Sequence, residues 1–203
     1  MPFTIPSLYI FCAIGISLSL SSCSSQHRLA GTHALSGAVE DSAANNPVKI
    51  QQLENDLTIL LGHQDGETLR LAQTALHKTN ALLREYEITG FPLFHNFLVN
   101  LGVKNRGLCC HWTEDLLTTL NDMKLEQYRF VWVVSNYGSF REHSSVAVVP
   151  VQKELKDSLI LDPWRNAGRL YWSRIDQDSY DWQPHPGYKG INGTITCETN
   201  LGN

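Results

Sequence analysis

No cluster of Lys and Arg stands out along the 203 residues, and the formal net charge is −4. The chain therefore lacks the basic face by which a protein holds nucleic acid. No Cys-x-x-Cys pair occurs, which removes the usual spacing of a structural zinc site or a dithiol redox motif. No internal repeat is present, so repeat architectures are set aside. Charge is missing altogether from residues 1–22, and the apolar run inside them, Leu8 to Leu20, is short. A membrane-spanning helix needs about 20 apolar residues. This run suits the core of a secretory signal instead.

The run ends in Leu20-Ser21-Ser22-Cys23, which resembles the bacterial lipoprotein signal: an aliphatic residue, two small residues, then the cysteine that receives lipid. The resemblance implies that the Cys23 thiol becomes a thioether to diacylglycerol, and two or more acyl chains hold a protein on a bilayer. The sequence departs from that pattern in one respect, since a positively charged start is expected and none is present. Ser24, rather than Asp, after Cys23 implies an outer-membrane destination in a bacterial envelope. Residues 23–48 are dominated by Ser, Ala, Gly, Asn, His and Thr. Such a segment buries too little apolar surface to offset ordering entropy and reads as a tether. Residues 49–203 remain as one domain, long enough for a sizeable core.

Of five cysteines, Cys12 lies in the signal and Cys23 at the lipid site, which leaves Cys109, Cys110 and Cys197. An odd number in an oxidising compartment leaves at least one thiol without an intramolecular partner. One of the adjacent pair could bond Cys197, or all three could be reduced.

The domain begins with helical periodicity and ends in short strands. Lys49 to Leu61 carries apolar residues at Ile50, Leu53, Leu57 and Leu60 with a Gly62 stop, and Glu67 to Glu87 repeats the pattern. A shorter helix is expected over Phe94–Leu101 and a fourth over Cys109–Met123. The pattern then turns β-branched and aromatic over Arg129–Val134, Ser145–Val151, Ser158–Leu161 and Arg169–Trp172. Asn192-Gly193 reads as the turn of a late hairpin. Helices followed by an antiparallel meander give an α+β class.

Three chemistry-bearing residues punctuate this order. Cys109 lies in Arg106-Gly107-Leu108-Cys109-Cys110-His111-Trp112, at the start of the fourth helix. His143 heads the second strand, and Asp162 ends the third, before Pro163-Trp164. A helix N-terminus and an imidazolium both favour the thiolate, the reactive form of cysteine. A histidine moves protons, and a carboxylate on its far nitrogen fixes tautomer and orientation.

In that order and spacing, the set is similar to the transglutaminase-like branch of the papain-like cysteine protease superfamily. Arg106-Gly107-Leu108-Cys109 with Trp112 matches the family's Arg-Gly-x-Cys followed by an aromatic, and the His143-to-Asp162 interval and the Asp162-Pro163 pair match as well. The match covers roughly residues 90–172. It implies a papain-like fold with the nucleophile at a helix start packed on an antiparallel sheet. By register Cys109, not Cys110, is the nucleophile; successive helical residues point about 100° apart, so only one faces His143.

The resemblance further implies acyl transfer at amide bonds by a Cys109–His143–Asp162 triad, as a peptidase, amidase or transglutaminase-type enzyme without cofactor. One oxyanion donor would be the Cys109 N–H; Asn105 and Asn100 are candidates for the second. Trp112 and Trp164 are expected to pack around the site, with Trp132, Tyr137 and Asn136 as candidates for a cleft. His111, His95 and His185 are rivals to His143. Three consecutive ligands in Cys109-Cys110-His111 would serve one metal ion poorly, so no metal is expected. In an envelope, proteins and peptidoglycan peptides are the amide substrates within reach, and the membrane is a partner through the Cys23 lipid. A non-catalytic scaffold or binding lipoprotein on the same fold is the alternative, and a redox protein using Cys109 and Cys110 a third reading.

Overall fold

A computed structural model describes residues 46–190 and Cys197. The signal, most of the tether, Cys23 and the Asn192-Gly193 turn lie outside the described residues. Among the described residues no helix is long and apolar enough to cross a membrane.

Helix α1 (Pro47–Leu61) starts where Asn46 Oδ1 accepts the Val48 N–H at 3.1 Å, with Pro47 in the first turn, and stops at Gly62 with φ +94°. This is the expected pairing of an Asx cap and an N-terminal proline with a left-handed glycine stop. Helix α2 (Gly66–Glu85) is capped by Asp65, which accepts the Glu67 N–H at 2.7 Å. Helices α3 (Pro92–Asn100) and α4 (Cys109–Asp122) complete the helical half. Each lies within a few residues of the span expected from periodicity. Leu53, Leu57 and Leu60 of α1, Leu71, Ala72, Ala75 and Leu76 of α2, and Leu116, Leu117 and Leu120 of α4 form one core against the sheet.

The sheet is antiparallel throughout, in the order β4-β3-β2-β1-β5. Its strands are β1 (Tyr128–Ser135), β2 (His143–Pro150), β3 (Leu159–Asp162), β4 (Tyr171–Arg174) and β5 (Gln183–Pro184). Side chains alternate between faces. Phe130, Trp132, Val146, Val148, Leu159 and Leu161 face the helices. Val131, Val133, Ala147, Val149 and Ile160 face the other way, where Trp182 covers them with Leu155, Ile175, Tyr180 and Tyr188 packed against the cluster. Both faces are therefore dry. This explains why all eight residues of β2 are buried and why its sequence runs apolar instead of alternating. The α+β class holds: among the described residues there are four α-helices and a five-stranded antiparallel sheet, with β4 displaced toward the C-terminus from the expected Arg169–Trp172 and β5 an addition.

Candidate active site

The loop before α4 is built by two histidines. His95, on α3 and buried, accepts the Thr89 N–H on Nδ1 at 3.2 Å and donates from Nε2 to the Arg106 carbonyl at 2.9 Å. Gly107 follows with φ +127°, and a Cβ there would sit well inside contact distance of His95 Nε2. Only glycine combines that backbone with that contact. His111, three residues past Leu108, turns its Nδ1 back to accept the N–H groups of Gly107 (3.1 Å) and Leu108 (3.3 Å). Trp112 Nε1 donates to the Gly107 carbonyl at 3.1 Å, and its ring lies edge-on against Tyr86 at 4.7 Å. Burial, with the nearby Arg106 charge adding to it, lowers the His111 pKa to about 4, so the ring is neutral with Nδ1 free to accept. The result is a fixed turn that presents Cys109 as the first residue of α4.

Antiparallel pairing brings the other two residues to one end of the sheet. β2 begins at His143 and β3 ends at Asp162, with Val146 opposite Leu161 between them. His143 Nε2 and Asp162 Oδ2 are 2.7 Å apart, and both side chains are buried, at 3% and 0% exposure. Cys109 is a free thiol whose Sγ lies 3.9 Å from the carbonyl of Glu142, the residue before His143. His143 Nδ1 is buried and makes no hydrogen bond among the described residues. Cys109 therefore lies beside the strand start that carries His143, with no hydrogen bond formed between sulfur and imidazole. Burial opposes charge on His143, but the Asp162 hydrogen bond and the Cys109 sulfur outweigh it and raise the pKa to about 9. Three aromatic rings enclose the imidazole: Trp164 at 4.7 Å, Tyr180 at 4.8 Å and Trp182 at 5.2 Å.

Asp162 is anchored from two sides. Its Oδ1 accepts the Arg165 N–H at 3.1 Å, and its Oδ2 accepts Arg165 Nε at 3.0 Å as well as His143. Cys110 is joined to Cys197, with Cα atoms 5.4 Å apart, which closes the alternative left open by the sequence. Cys110, His111 and Cys197 also place potential ligand atoms within 4.8 Å of one another. They suit an ion poorly: the two sulfurs are bonded together, and a neutral His111 whose Nδ1 accepts two N–H groups carries its proton on Nε2.

Of the rival histidines, His95 and His111 hold the loop, and His185 accepts the Gly187 N–H and packs on Trp132 and Tyr137. Asn136 and Tyr137 do line a cleft, of about 450 Å³, with Ser135, Ser139, Asp181 and Gln183. Trp132 is instead buried in the core. Asn105 lines a separate cleft with Glu85, Tyr86 and Arg106, and Asn100 is exposed at the end of α3. The sequence reading missed Arg165, Asp178, Tyr180 and Trp182. Only the Asp-x-x-Arg spacing of Asp162 and Arg165, within reach across a turn, hinted at the first of them.

No protein-family model, curated protein or solved structure matches this chain.

Proposed function

We propose that this protein is a thiol enzyme that transfers acyl groups from amide bonds, on a papain-like, transglutaminase-like version of the α+β fold. The observation that carries this reading is the buried His143, bound through Nε2 to Asp162 and left with Nδ1 open beside a free Cys109 at a helix start. Those parts act in sequence. The Cys109 proton passes to His143 Nδ1, and the sulfur attacks the amide carbon to form a C–S bond. The carbon–nitrogen bond breaks as the imidazolium returns its proton to the leaving amine. Water or a second amine then adds to the thioester, losing a proton to His143, and the thiol is regenerated. Asp162 keeps the imidazole oriented throughout, and the helix start offers the Cys109 N–H to the developing oxyanion. In the same proposal Cys23 bears lipid and tethers the domain to the bacterial outer membrane, within reach of protein and peptidoglycan-peptide substrates.

The test is alkylation by iodoacetamide across pH on the chain from Ser24 onward, with the labelled residue located by mass spectrometry. Rapid labelling of Cys109 near neutral pH, slowed to the rate of an ordinary thiol in His143→Ala, is the expected result. Slow labelling indifferent to His143 removes the enzyme reading and leaves a scaffold or binding lipoprotein.

A further inference from the structure

The groups that hold Asp162 do not end at His143. Arg165 donates Nε to Asp162 Oδ2 at 3.0 Å, while its Nη2 reaches both oxygens of Asp178, each at 3.0 Å. Asp178 also accepts Ser173 Oγ at 2.8 Å and the Tyr180 N–H at 3.0 Å. Its side chain is fully buried, and that of Arg165 is 18% exposed. The guanidinium lies between two rings, 4.1 Å from the Tyr171 centroid and 4.8 Å from that of Tyr180. Tyr180 in turn packs on His143.

Charge therefore alternates along one line, Asp178, Arg165, Asp162 and His143, which ends beside Cys109. Two donors share a single oxygen, because Asp162 Oδ2 receives both His143 Nε2 and Arg165 Nε. An unneutralised Arg165 would draw that oxygen's charge away from the imidazole. Asp178 neutralises Arg165 and leaves Asp162 free to support a proton on His143. We propose that Arg165 and Asp178 are positioning residues that set the proton affinity of His143 in opposite directions, Arg165 lowering it and Asp178 restoring it. This rests on the reading of Cys109, His143 and Asp162 as the reacting set.

The groups that face His143 from each packed element are Cys109 on α4, Glu142 in the β1–β2 loop, Asp162 on β3, Arg165 beyond it and Tyr180 in the C-terminal segment. Glu142 is engaged elsewhere, accepting the Gly138 N–H at 2.7 Å. The Tyr180 hydroxyl is pushed upward, first by burial, and stays neutral. Arg165 with Asp178 is thus the pair whose charge is left to act on Asp162.

The experiment is a pH titration of His143 by NMR on the full-length chain in detergent, with histidine labelled at Cε1 and the signal assigned by its loss in His143→Asn. Asp178→Asn is expected to lower the His143 midpoint by roughly one pH unit, the scale of one nearby buried charge. Arg165→Met is expected to raise it by a similar amount, and the double variant to return it near the wild-type value. Shifts of the same sign, or none, overturn the proposal. A role confined to packing would not produce opposite signs. Arg165→Met leaves Asp178 buried without its partner; if it fails to fold, Asp178→Asn and the double variant still decide. The histidine titration is read independently of Cys109 alkylation, so opposite shifts without a reactive thiol would retain the charge line and remove the enzyme reading.

Discussion

Stability should peak near pH 6.5, with each flank owned by one buried histidine. His111 titrates near 6.5 in the unfolded chain and at about 4 when folded, so below 6.5 the unfolded state binds the proton more readily. Its contribution is complete above 6.5 and is lost as pH falls from 6.5 to 4. At about 1.4 kcal/mol per pKa unit, that loss is about 3 kcal/mol. Protonation at Nδ1 turns the acceptor of the Gly107 and Leu108 N–H groups into a donor, which is the structural meaning of the loss. His143 behaves oppositely. Its folded value of about 9 makes its contribution complete below 6.5 and lost as pH rises from 6.5 to 9, again by about 3 kcal/mol. Asp178, held below its ordinary value of 3.8, affects only more acid conditions. The perturbation that isolates the acid flank is His111→Asn, whose Oδ1 stands where Nδ1 stood and does not titrate. Urea unfolding followed by fluorescence of the five tryptophans, at half-unit steps from pH 4 to 9, measures both flanks. The variant should lose most of the decline between 6.5 and 4, with His185, also lowered by burial, supplying a smaller remainder. Retention of the full acid decline in His111→Asn would refute the assignment.

Gly107→Ala places a Cβ against His95 and keeps a backbone that L residues rarely adopt. Strain of about 1–3 kcal/mol and loss of the His95–Arg106 hydrogen bond at about 1 kcal/mol give about 2–4 kcal/mol by denaturant unfolding; a cost below about 0.5 kcal/mol, the scale of neutral surface changes, contradicts the close approach. Cys110→Ser opens a loop of 87 residues and should lower stability by about 2–4 kcal/mol, as should reduction of the wild type. Non-reducing peptide mapping that finds Cys110 and Cys197 unlinked removes the basis for that figure.

The first two helices were legible because their leucines are spaced to one face and Gly62 stops α1; the caps at Asn46 and Asp65 emerge only in the structure. Strands β1 to β3 were legible from β-branched runs and hydrophobic density. β5 was not, because its two residues, Gln183 and Pro184, are exposed and pair with Val133 and Val134 only through tertiary placement. The order of Cys109, His143 and Asp162 could be read because each sits at an element boundary, a helix start, a strand start and a strand end, and antiparallel pairing then brings the last two together. The role of His95 was hidden for the opposite reason. Its ring acts on a loop eleven residues away, and no local pattern announces a histidine donating to a carbonyl.

The same distinction separates the proposed reacting groups from what governs their charge. Cys109, His143 and Asp162 fall within a 54-residue stretch, from 109 to 162 inclusive. The rings and charges around His143 come mostly from further on: Trp164, Arg165, Asp178, Tyr180 and Trp182. Trp164 and Arg165 follow directly on β3, whereas Asp178, Tyr180 and Trp182 reach the site because the segment after β4 crosses the sheet face that the helices leave open, where Trp182 packs on Val131, Val133, Ala147, Val149 and Ile160. Burial of that face and enclosure of His143 are one packing event. An imidazole at the start of β2 with only Asp162 would face water, which screens the pair and weakens the interaction. Covered by aromatic rings, the same pair acts at low dielectric, which is what allows the Asp162 hydrogen bond and the nearby sulfur to overcome the burial penalty and hold the proton to about pH 9. The C-terminal segment therefore favours the proton on His143, although in the proposed mechanism it contributes no reacting atom.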